Sequence, residues 1–435
     1  MMSPAIIGLS GILVLLFMLF FLGTPVGFAM GIVGFLGFSF LISLKAGLNM
    51  IGAEIWSTFS SYGLTVIPLF IFMGQVAFYS KVNERLYDAA YNWVGHIRGG
   101  IAMATVVACS AFAAICGSNT ATAATMTAVA LPQMNKFKYH PRLSTGAIAC
   151  GSTLGVVIPP SVVLIVIGLS TGESIAKLFH GGIGAGVVLS LLLTLSVYVI
   201  CRIFPTWGPA GQKTNFRQKV RSLTGAIEML VLFLLVMLGL YFGFFTPTEA
   251  GAVGSLCAVL IGIGQRRLTW KGFVASIVDT LRVSCMVIVI IAGALIFGKF
   301  LAVTRIPFNI AAWVVDLRIP PVGIMAVIFM IYILGGMVMD ALALLLITIP
   351  IFFPVAMQLG YDPIWFGVTI TVVTTLGAVT PPVGATAYVV GGMAQDVSLE
   401  EVFKGISFFL PAYLLCILVL LAFPQIVTFL PNLMK

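Results

Sequence analysis

Charge is what this chain most lacks. Asp, Glu, Lys and Arg together make up 8% of its residues, against 60% that are hydrophobic. A soluble domain carries about a quarter charged residues. One window of about 19 residues after another is apolar instead, so the chain belongs in lipid. Histidine is nearly missing. His96, His140 and His180 lie far apart in sequence, which argues against a His-based metal site. The seven cysteines are scattered, nearly all within apolar segments, and no Cys-x-x-Cys occurs. Neither a disulfide framework nor a zinc site is indicated. The formal charge of +9 sits in short islands. These have no interleaved aromatics or nucleic-acid fold signals, so no nucleic-acid partner is expected and the islands read as topology signals. No Lys or Arg precedes the first apolar run, and no A-x-A-like cleavage site follows it. That run reads as a first spanning helix and not as a signal peptide.

What is present is apolar length. Spans need about 20 residues, and 5–25, 27–43, 60–80, 180–202, 223–242, 248–264, 282–302 and 405–425 supply them. Two more, 143–175 and 362–394, are interrupted by Pro-Pro, which brings the expected crossings to ten. Regions 101–133 and 322–354 fit differently. Small residues break each in the middle, "CGSNTATAAT" in the first and "GGMVMD" in the second. Each half is then short for a span, and both regions read as re-entrant hairpins. Irregular backbone at that depth persists only when buried in protein or facing a water-filled cavity. Residues 81–99 place Leu86, Ala90, Trp93, Val94 and Ile97 at helical spacing, as in an amphipathic helix lying in the interface.

The segment "TLGVVIPPSVVL" (153–164) returns 222 positions later as "TLGAVTPPVGAT" (375–386). This match, with the similar order of segments around it, indicates an internal repeat. The expected architecture is an all-α polytopic membrane protein of two inverted repeats, 1–203 and 223–425. Each holds a re-entrant hairpin and a Pro-Pro-broken helix. Residues 204–222 form a cytoplasmic linker, and 426–435 a C-terminal tail. Five crossings per half turn the second half upside down, a recurrent plan of secondary transporters. With both termini outside, cytoplasmic loops hold fifteen Lys and Arg. The outer side holds Lys45, Lys177, Arg305, Arg318 and Lys435, so the positive-inside rule favours that orientation.

A proline within a helix removes an N–H and clashes with the carbonyl one turn back. Two in succession unwind the chain, and the carbonyls before Pro159 and Pro381 lose their partners. A bound cation satisfies such oxygens, and sodium prefers them together with Ser or Thr hydroxyls. Gly155 and Gly377 admit a neighbouring backbone, expected from the facing hairpin tips: Gly117 to Thr120 for the first break, Gly335 and Gly336 for the second. Thr380 adds a hydroxyl. The competing reading is close helix packing around a simple kink. Asp340 is the lone acid of the apolar stretch 319–361. It orders the second tip, balances a cation, relays a proton or caps the following helix. Arg282 and Lys299 read as snorkelling residues. No Lys or Arg falls near a midplane, so an anion would rest on helix N-termini and bound cations.

The chain resembles the large membrane subunit of tripartite ATP-independent periplasmic (TRAP) transporters, the DctM-like family. The resemblance rests on "AAICGSNTATAAT", "TLGVVIPPS", "GFFTPTEAGAVG", "GGMVMDALALLLITIPIFFPV" and "TLGAVTPPVGATAYV". It implies a non-enzymatic, sodium-driven importer of carboxylates such as C4-dicarboxylates, sialic acid and other sugar acids. A periplasmic DctP-like binding protein would deliver the cargo. A small four-helix DctQ-like subunit would enlarge a scaffold against which a transport domain slides as an elevator. The small subunit is expected as a separate chain, since Met1 opens directly on the first large-subunit helix. Sodium ions are the only cofactor implied. One sodium site would use Ser118, Gly155, Ile158 and Pro159, the other Gly336, Gly377, Thr380 and Val383. The cargo would lie near Ser118, Asn119, Thr120, Met337 and Asp340. "CGSNT" departs from the "SGSSV" of many relatives, which makes Asn119 a candidate mark of the particular substrate. The alternative within transport is a self-sufficient sodium/carboxylate symporter or exchanger. An ion channel lacks its continuous polar pore here, and an intramembrane hydrolase its nucleophile and base.

Overall fold

The computed structural model describes residues 3–211, 214–316 and 319–434, and every regular element among them is helical. Met1 and the topology cations Lys213, Arg318 and Lys435 lie outside the described residues. The first half runs α1 (Pro4–Phe20), α2 (Val26–Leu41), α3 (Leu44–Phe59), a 3-10 turn (Tyr62–Thr65) into α4 (Val66–Tyr79), and α5 (Val82–Val94). A helical pair follows, α6 (Gly100–Cys116) and α7 (Asn119–Lys136). A helix in three pieces comes next, α8 (Pro141–Ser152), α9 (Leu154–Val157) and α10 (Val162–Thr171), and then α11 (Ile175–Ile203). The second half runs α12 (Phe216–Tyr241), α13 (Pro247–Gly264), α14 (Trp270–Thr304) and α15 (Ile306–Asp316). Its helical pair is α16 (Pro321–Gly336) and α17 (Ala341–Gln358), and its broken helix α18 (Pro363–Val379) and α19 (Ala385–Met393). The chain closes with α20 (Leu399–Ser407), α21 (Leu410–Ala422) and α22 (Gln425–Leu433).

Local chemistry sets these boundaries. Ser118, Ser161, Ser174 and Asp340 cap the helices that follow them, each accepting a backbone N–H. Thr246 and Glu249 form a reciprocal capping box at α13. Proline opens α8, α13, α16 and α18, where its missing N–H costs nothing.

Seven described stretches are long and apolar enough to cross a membrane: 62–79, 141–171, 175–203, 216–241, 247–264, 270–304 and 341–358. The pair α20–α21, bent by 42°, makes an eighth. The ten expected crossings exceed this because α1, α2 and α18 hold 17, 16 and 17 residues. At 1.5 Å per residue they reach roughly 25 Å, short of a hydrocarbon core of about 30 Å. Conversely α17, expected as half of a hairpin, passes the length test. The amphipathic segment 81–99 also differs. Its helix ends at Val94; Leu86 is buried with Val82, Tyr87 and Ala89, Ala90 and Val94 pack partly buried against the core, and Trp93 and Ile97 are exposed.

Large side chains fasten the broken helices. Tyr413 of α21 is fully buried, and its hydroxyl meets Thr153 Oγ1 at 2.6 Å and donates to the Cys150 carbonyl at 3.0 Å. Trp365 of α18 is buried too, donating its indole N–H to the Leu420 carbonyl at 2.8 Å. Arg282 pairs with Asp279 at 3.8 Å and Lys299 with Glu54 at 3.3 Å, so both have partners beyond any snorkelling.

At the polar end of the first broken helix, Arg142 grips Glu401 of α20 in a two-pronged pair, Nε to Oε2 at 2.6 Å and Nη2 to Oε1 at 3.0 Å. The guanidinium hydrogen bonds hold the Glu401 carboxyl down at about 2. A depressed folded-state value stabilises above the ordinary glutamate value of 4.5 and is lost as pH falls through the folded one. Thermal unfolding in detergent will therefore show wild type above Glu401→Gln at neutral pH. The gap will close between about pH 4.5 and about pH 2.

Candidate functional site

The first Pro-Pro break faces the turn between α6 and α7. Gly117 ends α6 in the left-handed region (φ 63°), and Ser118 begins α7 in extended geometry. A methyl group on Gly155 would sit 2.5 Å from the Ser118 carbonyl oxygen, and one on Gly117 would sit 2.8 Å from that of Pro160. Tip and break are thus in backbone contact. Ser118 Oγ lies 3.2 Å from Thr120 Oγ1, and the Ser118 carbonyl accepts from Thr122 Oγ1 at 2.7 Å. Ile158 and Pro159 are buried, their side chains against Gly186 and Gly182 of α11.

The second break is built from the same parts. A methyl on Gly377 would lie 2.6 Å from the Ile333 carbonyl oxygen, and one on Gly336 2.8 Å from that of Thr374. The Met337 carbonyl accepts the N–H groups of Val383 at 3.0 Å and Gly384 at 3.3 Å. Thr380 Oγ1 donates to the Leu376 carbonyl at 2.5 Å, which leaves its lone pairs free. Both breaks contain a cis Pro-Pro bond. The first is buried throughout, whereas Pro381, Pro382 and Val383 are exposed. Among the described residues, the carbonyls of Ile158, Pro159, Thr380 and Val383 accept no hydrogen bond. Unpaired carbonyls inside a membrane protein need another partner.

Between the tips lies a cavity of about 630 Å³. The first tip contributes Gly117, Ser118, Asn119 and Thr120, the second Asp340, Ala341 and Leu342. Val283, Met286 and Val287 of α14 and Ala385 and Val389 of α19 supply apolar wall. Four of the five expected cargo residues therefore line one space. Met337 is not among the lining residues and contributes its carbonyl to the break. The residue that sequence reasoning passed over is Gln75, on α4. Its signal was available: a lone amide within "VIPLFIFMGQVAFY". Asp340 has two roles, accepting from Leu342 N at 3.0 Å as helix cap while facing the cavity. Among the described residues no Lys or Arg lines it, and the N-terminal ends of α7 and α17 open onto it with their partial positive charge.

Paired helical tips closed on broken helices around a shared cavity define a multi-pass membrane protein of helical-pair architecture. The fold agrees. The YdaH transporter of Alcanivorax borkumensis matches with a TM-score of 0.61 over 86% of this chain and 88% of that one, at 14% identity. The family model described as tripartite ATP-independent periplasmic transporter, DctM component, matches residues 13–426, and the chain belongs to that family. Its relatives are transport proteins. The C4-dicarboxylate TRAP transporter large permease DctM of Pseudomonas aeruginosa is 34% identical over 388 residues, 88% of each chain. The sialic acid TRAP transporter large permease SiaM of Vibrio cholerae is 29% identical over 419 residues, 95% of this chain and 96% of that one.

The close approaches make a direct prediction. Gly155→Ala and Gly377→Ala force a carbonyl away and should each cost about 1–3 kcal/mol. Gly298→Ala, inside α14 with nothing within 4 Å of the added methyl, should not destabilise and should gain up to about 1 kcal/mol from helix propensity. Thermal unfolding of the three purified variants tests this, and a neutral Gly155→Ala would refute the contact.

Proposed function

We propose that this TRAP large permease imports a carboxylate across the bacterial inner membrane by coupling it to sodium. A DctP-like periplasmic protein delivers the cargo, and a DctQ-like four-helix subunit completes the membrane part. The observation that carries the coupling is the pair of breaks with unpaired carbonyls at Ile158, Pro159, Thr380 and Val383. Sodium is a hard cation and takes such oxygens. One ion sits among Ser118, Gly155, Ile158 and Pro159, the other among Gly336, Gly377, Thr380 and Val383. Each site joins a tip to a broken helix, so ion occupancy closes the cavity walls. The cargo binds between Ser118, Asn119, Thr120 and Asp340, near the Met337 backbone. C4-dicarboxylates and sialic acid are the cargoes that relatives' names supply.

The two halves act as inverted repeats, 1–203 and 223–425. The hairpins and broken helices travel together as the transport domain against the remaining scaffold, an elevator movement. The termini face the periplasm by the positive-inside rule. Family membership favours this tripartite reading over a self-sufficient symporter.

Uptake of labelled sialic acid and of succinate into proteoliposomes tests the proposal. It should require an inward sodium gradient, the small subunit and the matching binding protein together. Uptake by this chain alone would overturn the tripartite reading, and uptake indifferent to sodium the coupling. Within that assay Thr380→Ala removes one oxygen from the second site. The sodium concentration for half-maximal uptake should rise about fivefold or more, as expected for one lost ligand worth roughly 1 kcal/mol. An unchanged sodium dependence would show that the Thr380 side chain is not a ligand.

A further inference from the structure

The cavity is chemically polarised. At the first tip, Asn119 is 3% exposed yet lines the space. Its Oδ1 accepts the Thr120 N–H at 2.8 Å, which fixes the amide, because the flipped form would set donor against donor. Among the described residues, Nδ2 is left without any partner. A buried amide donor without an acceptor is costly, and at a cavity wall it is available to a ligand oxygen. Ser118 and Thr120 hydroxyls stand beside it, at the positive N-terminal end of the 18-residue helix α7. The free amide donor, the two hydroxyls and the helix end at this tip suit an anionic oxygen.

The second tip is the opposite. Asp340 already places a carboxylate on the N-terminus of α17, with Oδ2 held by Leu342 N. No salt bridge reaches it among the described residues, and no Lys or Arg lines the cavity to offset it. A carboxylate arriving at that end meets like charge, whereas a hydroxyl or ammonium finds an acceptor.

We infer that the cargo binds in one orientation, carboxylate on Asn119 and a hydrogen-bond donor on Asp340. The preferred class is therefore a monocarboxylate bearing a hydroxyl or ammonium at its far end, in preference to a dicarboxylate. This rests on the proposed transport function and on the tips as its cargo site.

The test uses the purified permease in detergent with sodium present, read by thermal stabilisation. The probes are 4-hydroxybutyrate, 4-aminobutyrate and succinate, of closely similar length, with gluconate as a longer hydroxy acid. At least one donor-bearing acid should stabilise at about tenfold lower concentration than succinate, a difference of roughly 1.4 kcal/mol. Asp340→Asn keeps a cap and removes the charge, so it should narrow that gap by admitting succinate. Asn119→Ser should weaken all probes alike and leave the gap intact. Succinate binding wild type as well as the others, no probe binding at all, or both variants acting alike would overturn the inference. Sodium-driven uptake into proteoliposomes that hold the same permease variants with the small subunit and the binding protein separates the two readings. Lost coupling with the binding order intact defeats the transport mechanism alone. A reversed order with coupled uptake defeats the orientation alone.

Discussion

Backbone carbonyls in lipid need partners, and two proline pairs remove the partners that a helix would supply. The structure is organised around that demand. Each break is brought against the turn of a helical pair, and only glycine permits the approach. Gly155 meets the Ser118 carbonyl, and Gly377 meets that of Ile333. Some groups are satisfied by protein, as where Met337 receives the Val383 and Gly384 N–H groups. Others are left over, and those oxygens are what an ion-coupled carrier needs.

The surrounding helices serve this arrangement. Tyr413 braces the end of α8 just before the first break, and Trp365 ties α18 to α21. Arg142 and Glu401 clamp α8 to α20 at the polar boundary. Rigid support of this kind lets two tips from distant stretches of chain define one cavity, with α4 and α14 closing its sides. The two breaks are not equal in their surroundings, the first being enclosed and the second open. An amide donor on one tip and a carboxylate on the other make the cavity directional as well.

Much of this was legible in the residues. Apolar windows announced the membrane, and the repeated Gly-x-x-x-Pro-Pro announced the breaks. The tip fragments "CGSNT" and "GGMVMD" fell where the helical pairs turn. Asp340 proved to be a helix cap and a cavity residue together, two readings that its sequence position alone left open. The misjudgements have physical causes. Hydropathy windows do not see where a helix stops, so α1 and α2 came out longer than they are. Helical spacing on α5 placed Leu86, Ala90 and Val94 on the packed side and failed only at Trp93 and Ile97, which are exposed. Gln75 was passed over because one amide in an apolar helix carries no partner information until its neighbours are known.

The sequence by itself determined the solvent of this protein, its helical class, the positions of its two backbone interruptions and its kinship with the DctM component of TRAP transporters. Those follow from composition, local sterics and residue order, which act over a few turns of chain. Only the tertiary structure decided which carbonyls stay unpaired, that Asn119 and Asp340 face one space, and that α14 walls it. Those depend on contacts between segments from tens to more than 200 residues apart, whose geometry is set by packing and not by any local propensity.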